Sequence, residues 1–204
     1  SRKLPQDEGM ALNISHPAWF VSASTFLLGR PAALKLMQRN AYRASSYIRI
    51  NTLSGDEEAS LREVEEIGIE LEPVPDLPLT FKVLSFKRPI VQTKPYREGR
   101  IVIQDKASVL AGTIAAPSPR DSVLDICAAP GAKTAHLAEQ MENKGTICSI
   151  DKSSARMGFW KRETGRLGVK IAHPLLADAS KPLPLSAQVD VVLLDPPCSN
   201  TGTF

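Results

Sequence analysis

Short apolar segments alternate with helical segments in the second half of the sequence, and this alternation limits the possible folds more than any other feature. Apolar runs predict four strands, at residues 122–126, 146–150, 169–172 and 189–194. Helical patterns separate the first three runs, over residues 132–141 and 153–167. Because strands that alternate with helices form right-handed β-α-β units, we predict an α/β domain with a parallel sheet.

A polar residue or a turn of small residues follows each predicted strand. Asp125 ends the first strand, and a turn that contains Gly131 comes next. Asp151 follows the second strand, Asp178 the third and Asp195 the fourth. Since ligands bind where the carboxyl ends of parallel strands meet, these residues predict a single binding site.

The turn around Gly131 favours a ligand that is not held through phosphates. A dinucleotide site would need further glycines in a Gly-x-Gly-x-x-Gly pattern, and a P-loop needs a glycine spacing that this turn also lacks. The helix after the turn begins with free N–H groups, which favour a carboxylate. Asp151 can accept hydrogen bonds from ribose hydroxyls. A carboxylate and a ribose without a phosphate predict S-adenosylmethionine as the cofactor.

Several segments of the sequence resemble one enzyme family. Residues 124–134 read Leu-Asp-Ile-Cys-Ala-Ala-Pro-Gly-Ala-Lys-Thr, and residues 195–199 read Asp-Pro-Pro-Cys-Ser. Residues 16–19, 49–52 and 99–108 match the family's amino-terminal segments as well. Together these motifs resemble the Sun/Fmu-type family of RNA cytosine carbon-5 methyltransferases over nearly the whole chain.

This resemblance implies a fold and its division into domains. A small α+β RNA-binding module is expected over residues 1–95. An incomplete Rossmann-like sheet of the S-adenosylmethionine methyltransferase type is expected over residues 96–204. The implied partner is transfer or ribosomal RNA, and the sequence does not distinguish the two.

The resemblance also implies a role for each residue of the predicted cofactor site. Asp151 would hold the ribose, Asp178 would lie on the adenine side, and Asp195 would lie between the cofactor and the target base. Arg156 matches a family arginine that orients this loop. The methionine part of the cofactor would be wrapped by Cys127, Ala128, Ala129, Pro130, Gly131, Ala132 and Lys133.

The family's chemistry uses two cysteines, since carbon 5 of cytosine is a poor nucleophile until a thiolate adds to carbon 6. Cys198 matches the second cysteine, which assists release of the methylated base. We expect the attacking cysteine in a later segment, beyond Phe204. We also expect a carboxyl-terminal segment or a partner chain to complete the sheet.

Basic residues are concentrated in two parts of the amino-terminal module. Lys35, Arg39 and Arg43 recur every fourth residue of a predicted helix that begins near Pro31. A second group contains Lys87, Arg88 and Lys94, between the aromatic residues Phe86 and Tyr96. We predict that these six residues contact RNA phosphates. The alternative interpretation is a solvated helix face.

Ser54 and Glu57 predict a capping box for the module's second helix.

Three other classes of protein are excluded by the sequence. The long uncharged run from Gly9 to Gly29 contains too many polar residues for a membrane span, and the amino terminus lacks the pattern of a signal peptide. We therefore expect a cytoplasmic protein with no membrane partner. The three cysteines lack disulfide or zinc spacing, and the three histidines are scattered, so we predict no metal site.

Two alternative functions remain at this stage. An amino-methyltransferase would use Asp195-Pro196-Pro197 as its loop for exocyclic nitrogens, although Cys198 occupies the position where such loops carry an aromatic residue. The other alternative is a non-catalytic fragment that binds the cofactor and RNA.

Overall fold

The chain forms two units of tertiary contacts. The structure, a computed structural model, describes residues 9, 11, 13, 15–42, 45–186 and 188–198. Its contacts group Ser1–Ser45 with Pro197–Phe204, and they group Ser46–Pro196 into a second, larger unit.

The first unit contains two consecutive helices, α1 (Ala18–Leu28) and α2 (Arg30–Asn40). Gly29 joins them with a φ of 75°, a conformation that a side chain would strain. Pro31 lies in the first turn of α2, where its missing N–H removes no helical hydrogen bond. The buried core of this unit includes Phe20, Val21, Ala33 and Met37.

The second unit begins with an antiparallel sheet. Its strands are β1 (Tyr47–Ile50), β2 (Ile69–Pro73), β3 (Thr80–Phe86) and β4 (Ile101–Ile103), in the spatial order β2-β3-β1-β4. Helix α3 (Glu57–Glu66) connects β1 to β2, and a 3-10 helix (Ile90–Gln92) and α4 (Lys94–Arg97) precede β4. The core of this sheet includes Ile48, Ile50, Val64, Ile69 and Ile101. The antiparallel sheet therefore continues past residue 95, where the sequence suggested a domain boundary.

Helix α3 does not begin with the predicted capping box. Asp56 is the N-cap, and its carboxylate accepts a 2.8 Å hydrogen bond from the backbone N–H of Ala59. Ser54 lies outside the helix, where its hydroxyl accepts a 2.9 Å hydrogen bond from the side-chain amide of Asn51. An aspartate is as good an N-cap as a serine, and here it is the one beside the first helical residue.

A parallel sheet follows, as the alternation of strands and helices predicts. Helix α5 (Lys106–Ala115) leads into β5 (Ser122–Ile126), α6 (Ala132–Gln140), β6 (Thr146–Asp151), α7 (Ser154–Arg166), β7 (Ala172–Leu176) and β8 (Val191–Leu194). The strands pair in parallel in the order β7-β6-β5-β8. Val123, Leu137, Met141, Ile147 and Leu193 lie in the core between the sheet and its helices.

The third parallel strand is displaced from its predicted position. The apolar run at residues 169–172 mostly precedes β7, which instead contains His173 and Pro174. Proline is tolerated there because β7 lies at one end of the strand order, so its missing N–H disrupts no ladder on the outer side. In the described parts of the chain, no helix is long and apolar enough to cross a membrane.

A candidate cofactor site at the ends of the parallel strands

The turn at residues 127–131 lies between the ends of three parallel strands. The Ala128 N–H donates a 2.9 Å hydrogen bond to the Ile150 carbonyl at the end of β6. On the other side, the Asp195 N–H donates a 3.4 Å hydrogen bond to the Ile126 carbonyl at the end of β5. The sheet therefore brings the turn, Asp151 and Asp195 to one edge, as the sequence predicts.

Gly131 ends the turn at the N-cap of α6, and its conformation requires glycine. Its φ is 114°, in a region that L side chains rarely adopt. A Cβ at this position would lie 3.2 Å from the Thr164 Cγ2 and 3.3 Å from the Trp160 Cδ1. The turn is thus packed directly against helix α7.

Asp151 and Arg156 link the second strand to the turn. The buried Asp151 accepts a 3.0 Å hydrogen bond from the Ser153 N–H through Oδ1. Its Oδ2 lies 3.3 Å from the Nη1 of Arg156, whose Nη2 donates to the Ala129 carbonyl. Arg156 thus contacts both the turn and Asp151, in keeping with the orienting role that the family resemblance implies.

The Oδ2 atom of Asp151 has a property that fits a ribose hydroxyl. It is buried, and within the described residues it accepts no hydrogen bond of acceptable geometry, although the charge of Arg156 is close. A buried carboxylate oxygen without a donor is unfavourable, so a ligand hydroxyl here would supply a missing hydrogen bond. The residues at this position therefore fit the ribose of S-adenosylmethionine.

Lys133 connects the first turn of α6 to the loop after β8. Its ammonium lies 2.6 Å from the Asp195 Oδ2 and donates a 3.0 Å hydrogen bond to the Ser108 hydroxyl. The Asp195 side chain keeps 54% of its surface exposed, whereas that of Lys133 keeps 20%. Lys133 thus orients the Asp195 carboxylate while leaving it accessible from solvent.

Asp125 lies beneath the turn and has an unusual protonation equilibrium. Asp125 is 1% exposed, and this burial raises the pKa of its carboxyl to about 6. The hydrogen bond from Thr134 and the charge of Lys133 act in the opposite direction and lower the pKa, but they are smaller effects. Its role is to hold the turn from below, because its described hydrogen bond goes to the first turn of α6.

Asp178 and Cys127 are two further residues that the sequence predicts for the site. Asp178, partly exposed two residues after β7, accepts hydrogen bonds from the Ser180 hydroxyl at 2.8 Å and the Ser180 N–H at 3.0 Å. These two bonds lower the pKa of its carboxyl. Burial, followed by the charge of Asp151, raises the pKa of the Cys127 thiol, which favours a packing role for Cys127 over a reactive thiolate.

Cys198 follows Asp195 by three residues and is an exposed thiol. It belongs to the contact unit of the amino-terminal helices, whereas Asp195 belongs to the other unit. The predicted catalytic role of Cys198 stays a prediction.

The predicted RNA-contacting residues line two separate cavities. Lys35 and Arg39 line one of about 850 Å³ in the first unit, together with His16 and Tyr42. The second cavity, of about 620 Å³, is lined by Lys87, Arg88, Lys94 and Arg97, and we call it the basic groove. Arg43 lies outside the described residues.

Several residues of these sites were not in the predicted set. Arg97 joins the basic groove, because α4 presents it beside Lys94. Thr134, Trp160 and Ser108 support the turn and Lys133. Thr134 and Ser108 lie within the segments that resemble the family, and this resemblance could have indicated them. No sequence feature indicated Trp160.

The chain is similar to known proteins. Residues 112–204 match the model of the family described as 16S rRNA methyltransferase RsmB/F. The chain is 34% identical to the probable ribosomal RNA small subunit methyltransferase B of Bacillus subtilis over 96% of its own length and 44% of that relative. It is 35% identical to the tRNA (cytosine(49)-C(5))-methyltransferase of Pyrococcus abyssi over 76% of its length and 50% of that relative.

A solved structure has the same fold. The crystal structure of NSun6 from Pyrococcus horikoshii with SFG matches with a TM-score of 0.80 and 22% identity, over 87% of this chain and 69% of that chain. The chain spans 44% and 50% of the two curated relatives named above. The chain belongs to the RsmB/F methyltransferase family, the Sun/Fmu-type group that its motifs resemble.

Proposed function

We propose that this chain contributes the cofactor site and an RNA-docking surface to an RNA cytosine carbon-5 methyltransferase that uses S-adenosylmethionine. The observation that carries the proposal is the buried Oδ2 of Asp151 beside the small-residue turn: Arg156 lies 3.3 Å away, but no described residue makes a hydrogen bond of acceptable geometry to this oxygen. Membership of the RsmB/F family supports the same cofactor.

The geometry of the strand ends supports the contacts of Asp151 and the turn, and the family resemblance implies that of Asp178. Asp151 accepts hydrogen bonds from the ribose, and the turn with the first N–H groups of α6 receives the methionine carboxylate. Asp178 borders the adenine side. When bound, S-adenosylmethionine supplies the methyl group that is transferred.

The base would be received beside Asp195. Its carboxylate is oriented by the 2.6 Å contact with Lys133 and remains half exposed, so it can accept a hydrogen bond from an incoming base. Cys198 is proposed as the thiol that assists release of the methylated base, as its match to the family motif implies.

RNA would be held through its phosphates. Arg97, Lys87 and Arg88 carry charges in the basic groove, and Lys35 and Arg39 do so in the cavity of the first unit. Lys94 contributes less, because its ammonium already lies 3.1 Å from the Glu63 carboxylate. Such contacts bind RNA without reading its sequence.

Calorimetry with S-adenosylhomocysteine tests the cofactor site. Asp151→Asn keeps the side-chain shape but removes the charged acceptor, which is worth about 1.5 to 3 kcal/mol and predicts at least about ten-fold weaker binding. The matched control is Asp76→Asn, at an exposed left-handed turn position that asparagine also tolerates. An affinity unchanged by Asp151→Asn removes Asp151 from the site.

The reaction itself is tested on the intact gene product with tritiated cofactor and unmodified RNA. Nucleoside digestion then identifies the methylated position. 5-Methylcytidine supports the proposed reaction, whereas methyl groups on the exocyclic nitrogen would assign an amino-methyltransferase.

A further inference from the structure

Two buried polar residues at the end of β1 reach from the antiparallel sheet to the parallel-sheet helices. Arg49 is 2% exposed and Asn51 is 0% exposed, and both lie within the same contact unit as their partners. Since alternate residues of a strand point to the same face, the two side chains leave β1 in the same direction. The apolar Ile50 between them packs into the core of the antiparallel sheet.

Arg49 binds helix α6. Its Nη1 donates to the Glu139 carboxylate, and its Nε donates a 3.1 Å hydrogen bond to the Gln104 Oε1. The side chains of Arg49 and Glu139 keep only 3% and 5% of their surface exposed. Helix α6 is the helix that begins at Gly131, the last residue of the cofactor turn.

Asn51 binds the end of helix α7. Its Nδ2 lies 2.9 Å from the carbonyl of Leu167, the C-cap residue of α7, and 2.7 Å from the carbonyl of Gly99. The same helix carries Trp160 and Arg156, which contact the turn from the other side. Arg49 and Asn51 thus hold the two helices between which the cofactor turn is packed.

The Arg49–Glu139 pair is poorly explained by stability alone. Arg49 Nη2 and Glu139 Oε1 are buried without hydrogen-bond partners among the described residues, so the two charges are only partly compensated. Replacing a buried ion pair with apolar side chains of similar volume is often neutral or stabilising. In some proteins such a pair instead supplies a single relative arrangement of the parts it joins, since another arrangement leaves a charge buried and alone.

We propose that Arg49 and Asn51 are positioning residues that fix the antiparallel sheet, with its basic groove, to the helices that hold the cofactor turn. This inference rests on the proposed function, in which the arrangement keeps a set distance between the RNA phosphates and the methyl donor. In the described structure, the hydrogen bonds of both side chains go to residues outside the turn and outside the Asp151 and Asp195 contacts.

The test replaces the ion pair by apolar side chains in the Arg49→Met/Glu139→Leu double variant. Three quantities are compared with the parent: the urea midpoint, amide hydrogen exchange at residues 127–134, and affinity for S-adenosylhomocysteine. We expect a midpoint equal to or above that of the parent, at least about tenfold faster exchange at the turn, and weaker binding. The same substitutions at the exposed Glu58–Arg62 pair of α3, as Arg62→Met/Glu58→Leu, are the control and should change none of the three.

Two further variants keep the test decisive if the double variant fails to fold. Arg49→Lys retains a cation at this position and should recover most of the exchange protection. Asn51→Asp is isosteric but cannot donate to the Leu167, Gly99 and Ser54 oxygens, so it should expose the last turn of α7. Parent-like exchange in Asn51→Asp and in the double variant would overturn the proposal. A lowered urea midpoint without faster exchange at the turn would also overturn the proposal, because the Arg49–Glu139 pair would then contribute to stability only. Hydrogen exchange needs no cofactor, so failure of the parent to bind S-adenosylhomocysteine would reject the proposed function separately.

Discussion

The Thr134 hydroxyl lies 2.6 Å from the Oδ2 of Asp125 and donates a buried hydrogen bond to it. The Trp160 Nε1 donates to the same hydroxyl oxygen at 3.0 Å, so one hydroxyl joins β5, α6 and α7. These hydrogen bonds join β5, which precedes the turn at residues 127–131, to α6, which follows the turn. The turn can therefore keep one conformation although its own residues are mostly small.

The pH dependence of stability should carry the signature of Asp125. Burial raises the folded pKa of its carboxyl from the ordinary 3.8 to about 6, so its stabilising contribution is fully present below pH 3.8 and is lost as the pH rises through 6. Asp125→Asn keeps an acceptor for Thr134 but cannot titrate. The free energy of unfolding of the parent minus that of Asp125→Asn should fall by roughly 2 to 3 kcal/mol between pH 4 and pH 7.5.

Urea unfolding of both proteins across that range measures this difference directly. Titrating groups that do not interact with Asp125 cancel in the subtraction. A difference that is independent of pH would mean that Asp125 has an ordinary pKa and that the Thr134 and Lys133 interactions offset its burial.

Sequence patterns predicted the parts of the site that depend on local order. The sequence predicts β5, the turn and Asp151, because the apolar run of a strand shows where the strand ends and therefore which residues lie at the edge of the sheet. The start of β7 was missed because His173 and Pro174 interrupt the apolar pattern. The contact between Arg49 and Glu139 joins residues 90 positions apart, and no local periodicity carries that information.

The close packing of α5 against α6 predicts opposite effects of two glycine substitutions. A Cβ at Gly112 in α5 would lie 2.4 Å from the buried His136 Nδ1, whereas a Cβ at Gly165 in α7 would meet nothing within 4 Å. Gly112→Ala should lower the free energy of unfolding by roughly 1 to 3 kcal/mol. Gly165→Ala should raise it by roughly 0.5 to 1 kcal/mol, because alanine is the better helix former. Equal effects in urea unfolding would contradict the packing at Gly112.

The basic groove should determine the salt dependence of RNA binding. Neutralising Lys87, Arg88 and Arg97 to glutamine removes three cations of the groove. If each contacts a phosphate of single-stranded RNA, the slope of log K against log salt should fall by roughly 0.7 per contact. Fluorescence anisotropy at several salt concentrations measures the slope. Lys144→Gln, at an exposed lysine that pairs with Glu142 at 2.5 Å, is the control. An unchanged slope in the triple variant would identify the groove as a solvated surface.

Strand β8 should promote self-association of this chain. It lies at one end of the order β7-β6-β5-β8, and its Val192 and Leu194 are 54% and 60% exposed. An apolar edge strand presents unpaired N–H and C=O groups that can pair with another chain, and a lysine on such a strand opposes that pairing. Val192→Lys should therefore reduce the apparent mass seen by sedimentation velocity at high protein concentration, while leaving the far-ultraviolet circular dichroism unchanged. Leu185→Lys, at an exposed loop position that is 41% accessible, is the control and should associate like the parent. If both variants associate to the same extent as the parent, the contact between copies lies elsewhere, and the edge of β8 is not the surface that drives it.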